Sequence, residues 1–549
     1  MKILSGYFKT GFYTKPVFNI FLISVIYALF ITGYRVFISD QTQYLLLPFR
    51  KIYPGFCVND WFVWGTSHYH FSFSYLIQLL YYLSPGNIEA GMFIVWFIFL
   101  FAHIHSLYFL TESLGGTFRN FLAVIFFLAA YASVSLGDSI THSAILIPAF
   151  MAIPVTTYAF AFLFSGKYKT AFLFIGLAAL IHVNFGVIGI AVFSLYLFLN
   201  YKEIGFRTIF TCLAIFFIIA LPNFLPVLIN FNKSDEWLRL SYFVRSPHHY
   251  DPRTFGITEW LETIIPVVLA LWFLIVKREN KPVIEVIAVM ICLFCGVLII
   301  NLLNGPLIFY TIYVWRFAPY LLIFSYIILS KALLSELKIN RNAFWMVFIV
   351  VSLLLISHHG LESGLRRAVI LCAGIFVFNK ILQYNMNYAV QTLILIFLIV
   401  IGNGYKGIDV HNKIEMMEWI KKNTPPDALF LTPPDMEGIR LHTHRSIVVN
   451  VKSAPIGVGT EMYEWKNRLE KITNSNYIEN MEEKGFQLWE KLTEFYLNNS
   501  PEQIKNIMSF YNTDYFITYT DHKDFHVLTD SGFDKVYQEN NAAIFHLSK

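Results

Sequence analysis

The segment VFNIFLISVIYALFITGY, residues 17–34, is followed by an acidic residue, Asp40, in Ser39-Asp40-Gln41-Thr42-Gln43. An uncharged apolar run of this length approaches the ~20 residues with which an α-helix crosses the hydrocarbon core of a membrane. A carboxylate at the mouth of such a span is costly to place and is a candidate for function. A second acid, Asp60, follows in Asn59-Asp60-Trp61-Phe62.

The composition extends this prediction to most of the chain. Hydrophobic residues make up 56% of the sequence and charged residues only 14%, against about 25% charged residues in soluble domains. Apolar segments of nearly membrane-spanning length recur as far as Ile401. We therefore expect a polytopic α-helical membrane protein. The net charge of +5 is explained by basic loops and indicates no nucleic-acid partner.

The cysteine and histidine patterns predict neither disulfides nor a zinc site. The five cysteines form no disulfide framework, and the one CxxC, Cys292 and Cys295, lies inside an apolar run. The His-x-His pairs fall on different predicted sides or domains, with no fourth ligand at zinc-site spacing. Lysines precede the first span and no small-residue cleavage site follows it, so we expect an uncleaved first helix.

The positions of basic loops predict the orientation. With the N-terminus inside, the loop 39–90 lies outside, and its short apolar stretch 71–83 is expected to lie on the outer surface as a helix. Compact basic clusters then face the cytoplasm, as the positive-inside rule requires. Arg366 and Arg367 are the exception. The basic inside positions are Arg119, Lys167, Lys169, Lys202, Arg207, Lys277, Arg278, Lys281, Lys331, Lys338 and Arg341.

The hydropathy pattern predicts about 13 spans within a membrane domain, residues 1–402. An odd number places the C-terminal part, 403–549, on the outer side. The spans after the first are expected at 91–111, 119–137, 142–164, 170–184, 185–199, 206–229, 257–276, 283–303, 308–330, 343–357, 366–382 and 388–402.

The C-terminal part, 403–549, has the pattern of a soluble α/β domain, long enough to fold alone. Helices are predicted at 413–422, 460–472, 486–497 and 501–511, the last with Pro501 at its start. Strands are predicted at 428–432, 446–451, 515–519 and 542–546.

Three polar segments are predicted to share the outer face. They are the loop with Asp40 and Asp60, the turn from Gly137 to His142, and the loop Arg245-Ser246-Pro247-His248-His249-Tyr250-Asp251-Pro252-Arg253. Arginine forks suit phosphate oxygens, and histidines donate hydrogen bonds and change charge near neutral pH. A carboxylate can act as a general base toward a hydroxyl. The candidate substrate-binding residues are Arg245, His248, His249, Asp251, Arg253, Arg316, Asp138, His142 and His182.

Each of these residues also has a purely structural interpretation. Asp40 could be an interfacial acid paired with Arg35. The His-His loop could be a turn punctuated by its prolines, and Asp138 and His142 could be helix-end groups. His182, between two short spans, could be a satisfied core histidine. Arg316, expected in the outer third of its span, could extend to the headgroups or face a cavity and hold a phosphate.

This layout resembles the GT-C class of integral membrane glycosyltransferases, which use polyprenyl-phosphate-linked sugars. The resemblance rests on the acid after the first span, a long outer loop with a surface helix, about thirteen spans and an outer α/β domain. The stretch Met417-Glu418-Trp419-Ile420-Lys421-Lys422-Asn423-Thr424-Pro425-Pro426-Asp427-Ala428 also resembles the helix-turn-strand that opens many such periplasmic domains.

The resemblance implies that Asp40 is a general base or metal ligand, since it occupies the position of the acid in the first outer loop. The class often has two acids there, whereas this chain has Asp40-Gln41, which places metal dependence in doubt. The chain lacks the Trp-Trp-Asp run typical of oligosaccharyltransferases, which argues against transfer to protein sequons. The Arg-Ser-Pro-His-His segment indicates a subgroup of its own.

The sequence therefore predicts transfer of a sugar from a polyprenyl-phosphate donor to a glycan, lipid or protein acceptor on the outer face of a bacterial inner membrane. Asp40 would be the base, supported by Asp60, and Arg245, His248, His249 and Arg316 would hold the departing phosphate. A flippase or transporter is the alternative, although no internal repeat favours it. A surface-polysaccharide polymerase or ligase shares the substrate class.

Overall fold

The computed structural model describes residues 16–66, 70–130, 134–230, 234–277, 280–335, 387–455, 461–476 and 478–547. The predicted spans 343–357 and 366–382, with Arg366 and Arg367, lie outside the described residues.

Most of the described residues before position 403 are helical, so the predicted helix-rich fold is confirmed. Among the described residues, five segments are long and apolar enough to span a membrane: Ile88–Ser113, Phe206–Ile229, Ile257–Lys277, Lys281–Leu302 and Phe309–Ala332. The helices are α1 Pro16–Tyr27, α2 Gln41–Tyr44, α3 Leu46–Ile52, α4 Trp61–Gly65, α5 Phe71–Leu83, α6 Ile88–Ser113, α7 Phe118–Ala130, α8 Pro148–Phe164, α9 Tyr168–Ile181, α10 Val183–Leu199, α11 Tyr201–Ile204, α12 Phe206–Asn230, α13 Asp235–Arg239, α14 Pro247–Tyr250, α15 Ile257–Lys277, α16 Lys281–Leu302, α17 Ala318–Ser335 and α18 Tyr388–Gly402.

Two predicted spans begin later than the hydropathy suggests, one at a proline and the other after two 3₁₀ turns. The span expected at 142–164 is helical only from Pro148, because proline fits the first helical position, where an N–H has no partner. The span expected at 308–330 begins as two 3₁₀ turns, Leu307–Thr311 and Val314–Phe317, and becomes α-helical at Ala318. Arg316 therefore lies in a turn before the helix and not within it.

The C-terminal part contains a five-stranded mixed sheet in the order β4-β3-β5-β7-β6. β3 is parallel to β4 and β5, whereas β7 is antiparallel to β5 and β6. The strands are β3 Leu429–Leu431, β4 Ser446–Ile447, β5 Tyr515–Tyr519, β6 Phe533–Glu539 and β7 Ala542–Leu547, after a short hairpin of β1 Val134–Ser135 and β2 Ser139–Ile140 in the membrane part. The helices are α19 Glu415–Asn423, α20 Ile439–Thr443, α21 Met462–Thr473, α22 Phe486–Leu497 and α23 Pro501–Tyr511.

The helices and strands predicted for this part are present, some with shifted ends, and two elements, the short helix α20 and one strand, were not predicted. α23 begins where expected because Ser500 and Gln503 form a reciprocal capping box ahead of Pro501. The unpredicted strand is β6, at the edge of the sheet. Its residues after Phe533 are largely exposed and charged, so it lacks the apolar alternation that marks a half-buried strand.

A buried ion pair joins the first loop to the C-terminal part. The guanidinium Nε of Arg440 donates to Asp60 Oδ2 at 2.7 Å, and both side chains are almost fully buried. Asp60 also caps α4, accepting from the backbone N–H groups of Phe62 and Val63, and it accepts from Ile447 N at 2.9 Å. The carboxylate thus holds together a loop, a helix start and a strand of the sheet.

A second junction is hydrophobic. Trp237, Leu240 and Val244, in the loop after α12, are buried in one cluster with side chains of the C-terminal sheet and helices. The backbone N–H of Gly485 donates to the carbonyl of Val244 at 2.9 Å. Gly485 has a φ of +58°, and a Cβ there would lie 3.1–3.2 Å from Pro247 and His248, so only glycine allows this approach.

Replacing Arg440 with methionine should destabilise the protein by about 3–5 kcal/mol, because Asp60 would remain buried without its counter-charge. Thermal unfolding of the detergent-solubilised protein measures the loss. The matched control is Glu494→Gln, which breaks the largely exposed pair with Lys491 and should cost less than about 1 kcal/mol. Equal losses in the two variants would contradict the anchoring role.

Candidate active site

A cavity of about 330 Å³ lies where the loops of the membrane part meet the C-terminal part. The membrane part contributes the first loop, the β1–β2 turn, the break between α9 and α10, and the loop after α12. The C-terminal part contributes the turn at 452–455 and the start of α22. Of the predicted site residues, those lining the cavity are Asp40, Asp138, His182, Arg245, His248, His249 and Arg316.

Four predicted site residues are not among the described residues that line this cavity. Asp60 is the buried anchor described above and is 1% exposed. Asp251 pairs with Arg253 at 2.8 Å, away from the cavity, so this arginine is already neutralised. His142 is buried, with Nδ1 3.0 Å from the hydroxyl of Tyr27. All four residues therefore have ion-pair or hydrogen-bond partners within the fold.

Asp40 is paired with Lys452 of the C-terminal part, not with Arg35. The ammonium lies 2.9 Å from Asp40 Oδ1, while 44% of the Asp40 side chain remains exposed toward the cavity. Burial opposes ionisation of this carboxyl, but the nearby cations, chiefly Lys452, outweigh it and lower its pKa from 3.8 to about 2. Asp40 is therefore a carboxylate at every physiological pH.

Asp138 occupies the tip of the β1–β2 hairpin and caps no helix. The turn needs residues with positive φ: Gly137 at +69° and Asp138 at +52°. A Cβ on Gly137 would lie 2.6 Å from Trp315, so the hairpin can pack there only with glycine. Burial, which Arg316 partly offsets, raises the pKa of Asp138 from 3.8 to about 6. Two acids of the cavity thus differ in protonation at mildly acidic pH, where Asp40 is ionised and Asp138 is largely protonated.

His248 and His249 are held as neutral imidazoles. Nδ1 of His249 donates to the carbonyl of Gly137 at 3.0 Å and lies 2.9 Å from the hydroxyl of Tyr313, which fixes the ring. The ring of His248 stacks on Phe486 with centroids 4.3 Å apart. Burial, with a smaller contribution from nearby cationic side chains, lowers the pKa of both, to about 3 for His248.

Three cationic side chains face the cavity. Arg245 and Lys452 both lie over the ring of Trp489, at 5.5 and 5.4 Å from its centroid, and Arg316 lies 4.3 Å from the centroid of Tyr313. The Nε groups of Arg245 and Arg316 are buried and have no hydrogen-bond acceptor among the described residues. A buried donor without an acceptor is costly, so the site favours an anion that accepts from both.

One group of side chains could hold a metal ion. Asp138, His248 and His249 each offer a ligand atom, and these atoms lie within 4.8 Å of one another. Two imidazoles and a carboxylate suit Zn²⁺. However, Arg245, Arg316 and Lys452 place positive potential on the same groups, as their effects on these pKa values show. The electrostatics of the cavity favour an anion over a dication.

The remaining predicted residue, His182, lies in the break between α9 and α10. Its ring is 4.9 Å from that of His70, and its Nδ1 has no hydrogen-bond partner among the described residues. His182 is therefore not a core histidine with all its hydrogen bonds formed, because it lines the cavity and its Nδ1 makes no hydrogen bond to a described residue.

Sequence reasoning missed the contributions of the C-terminal part, chiefly Lys452, Phe486 and Trp489. Nothing in their local sequence distinguishes them. Trp489 is on an ordinary amphipathic helix, and Lys452 follows a predicted strand in a domain with many lysines. Only the docking of the C-terminal part on the first loop brings them to the cavity.

Comparisons with known structures support the fold. The chain is similar to ArnT from Cupriavidus metallidurans bound to undecaprenyl phosphate, with a TM-score of 0.51 and 12% identity, over 97% of this chain and 96% of ArnT. The apo state of ArnT gives a TM-score of 0.50 at 12% identity, over 97% of both chains. This chain has a GT-C fold. The fold that the resemblance implied is thereby confirmed, and the protein is an integral membrane protein.

Two further comparisons are less informative. An oligosaccharyltransferase from Archaeoglobus fulgidus, tethered with an acceptor peptide, gives a TM-score of 0.47 at 13% identity, over 99% of this chain and 75% of that protein. A domain of unknown function, DUF6798, matches residues 411–472, at the start of the C-terminal part. No curated protein matches the chain.

The raised pKa of Asp138 predicts a pH-dependent effect of replacing it. In the folded protein Asp138 ionises near pH 6, and in the unfolded chain near 3.8, so its ionisation costs stability as the pH rises. We expect this cost to be about 2 kcal/mol larger at pH 7 than at pH 4.5. Asp138→Asn should therefore raise the Tm relative to the original protein more at pH 7 than at pH 4.5. A Tm difference that is independent of pH would show that Asp138 ionises normally.

Proposed function

We propose that this protein is a glycosyltransferase that moves a sugar from a polyprenyl-phosphate-linked donor to an acceptor on the outer face of the cytoplasmic membrane. The observation that carries the proposal is one cavity in a GT-C fold that combines Arg245, Arg316 and Lys452 with an ionised carboxylate, Asp40. The similar protein ArnT binds undecaprenyl phosphate. The C-terminal part would lie outside the membrane.

The cations would hold the lipid phosphate. The unfilled Nε donors of Arg245 and Arg316 provide planar, fixed hydrogen bonds to phosphate oxygens, and Lys452 adds a mobile charge. As the bond between the sugar C1 and the phosphate oxygen breaks, the electron pair moves onto that oxygen. The three cations stabilise this developing charge, so the step as proposed uses no metal ion.

Asp40 would be the general base. An acceptor hydroxyl gives its proton to a carboxylate oxygen of Asp40 while its own oxygen forms the new bond to C1, on the face opposite the leaving phosphate. The product has inverted stereochemistry, and the lipid phosphate leaves with the second negative charge. The exposed fraction of the Asp40 side chain allows an acceptor to reach it. The acceptor is a glycan, lipid or protein hydroxyl or amine.

Two arginines that the sequence treats alike have different surroundings, which supports different roles for them. Arg245 is 5% exposed, lines the cavity and carries an unfilled donor. Arg253 is bound to Asp251 outside the cavity, with 45% of its side chain exposed. Of these two arginines, only Arg245 belongs to the phosphate site in this proposal.

The test is donor turnover in proteoliposomes, with radiolabelled undecaprenyl-phosphate sugars as donors and membrane extract as the source of acceptor. Asp40→Asn should lower the transfer rate by about 10²–10⁴-fold through loss of the base. Arg245→Gln should lower it by about 10²–10³-fold through loss of charge stabilisation. The matched control, Arg253→Gln, should stay within about twofold because Arg253 does not line the cavity and 45% of its side chain is exposed.

The folded state of each variant is checked by its Tm. Full transfer by a folded Asp40→Asn variant would exclude Asp40 as the base. Equal losses in the Arg245 and Arg253 variants would contradict the placement of the phosphate, and failure of the unaltered protein to use any such donor would refute the proposed donor class.

A further inference from the structure

Lys452 forms an ion pair with the proposed base, Asp40, in the free protein. Its ammonium is 2.9 Å from Asp40 Oδ1 and is only 12% exposed. The backbone near it is fixed: the carbonyl of Lys452 accepts from Gln43 Nε2, and Arg440 Nη1 donates to Ser453 Oγ at 2.8 Å. A carboxylate that binds an ammonium is a weak proton acceptor. The pair seen here is therefore a resting arrangement, not the reactive one.

Lys452 differs from its neighbours Arg245 and Arg316 in the shape of its charged group. All three lie over aromatic rings, but the arginines end in planar guanidinium groups, whereas Lys452 carries a compact ammonium on a flexible four-carbon stem. A phosphate bound to the unfilled donors of the two arginines would place two or three anionic oxygens in the same cavity. These oxygens compete with Asp40 for the one mobile cation.

On the basis of the proposed function, we propose that Lys452 acts as a latch: it blocks Asp40 until the lipid phosphate binds and draws it away. Without donor, Lys452 neutralises Asp40; when the lipid phosphate binds, Lys452 moves to the phosphate and leaves Asp40 free to accept a proton. The C-terminal part thereby couples occupancy of the donor site to activation of the base. In the enzyme without donor, Asp40 is then not available as a base that could activate water.

The electrostatics support this exchange. Burial raises the pKa of Asp40, and Lys452 is the main group that lowers it. Once Lys452 neutralises a phosphate instead, burial dominates and the pKa of Asp40 rises, which makes it a stronger base. The latch thus increases basicity only when the leaving group is in place.

Binding of undecaprenyl phosphate to the full chain in nanodiscs tests the latch through a double-mutant cycle. Lys452→Met should weaken binding at least about tenfold, because the phosphate loses a cation. Asp40→Asn should tighten binding about three- to tenfold, because Lys452 no longer has a competing partner. In the Lys452→Met background, Asp40→Asn should bring a clearly smaller gain, because only its repulsion of the phosphate is then removed. Lys452→Gln serves as a second variant if the methionine protein does not fold.

The control pair is Lys466 and Glu479, which lie 2.8 Å apart in the same part of the chain and outside the cavity lining. Lys466→Met and Glu479→Gln should leave binding unchanged. An equal gain from Asp40→Asn with and without Lys452 would overturn the latch, since Asp40 would then only repel the phosphate. Weaker binding by Asp40→Asn would also overturn it, since the pair would then build the site. If the unaltered protein binds no undecaprenyl phosphate, the proposed donor class fails as well.

Discussion

The ion pair between Asp60 and Arg440 is the interaction on which the site depends. It joins the loop that carries Asp40 to the C-terminal part that carries Lys452. Arg440 also donates to Ser453, the residue after Lys452, so one buried guanidinium fixes both walls of the cavity. Breaking a buried pair leaves an uncompensated charge, and this penalty enforces the relative position of the two parts.

The charges that line the resulting cavity indicate which kind of substrate it can bind. Three cations face it, one acid is ionised at every physiological pH, and a second acid ionises only near pH 6. The imidazoles between them are neutral. Such a site accepts an anion with a neutral second substrate beside it. A sugar linked to a lipid phosphate, together with a hydroxyl acceptor, has this combination.

Sequence reasoning predicted the fold class, most of the described helices and seven of the residues that line the cavity. Hydropathy and loop charge are local properties of the sequence, so they were sufficient to predict α5, α18 and the loop with Arg245. They could not separate Asp40 from Asp60, because both are acids in one loop and only the partner Arg440 distinguishes their roles. Lys452 lies 412 residues from Asp40, and no local pattern predicts a contact over that separation. Span ends were shifted where proline, not hydropathy, starts the helix.

The most direct test of this account is an experimental structure of the protein with undecaprenyl phosphate bound. The account predicts the phosphate within hydrogen-bond distance of Arg245 and Arg316, with Lys452 on a phosphate oxygen and no longer on Asp40. A phosphate bound elsewhere would contradict the proposed site. A phosphate bound beside an intact pair of Asp40 and Lys452 would contradict the latch.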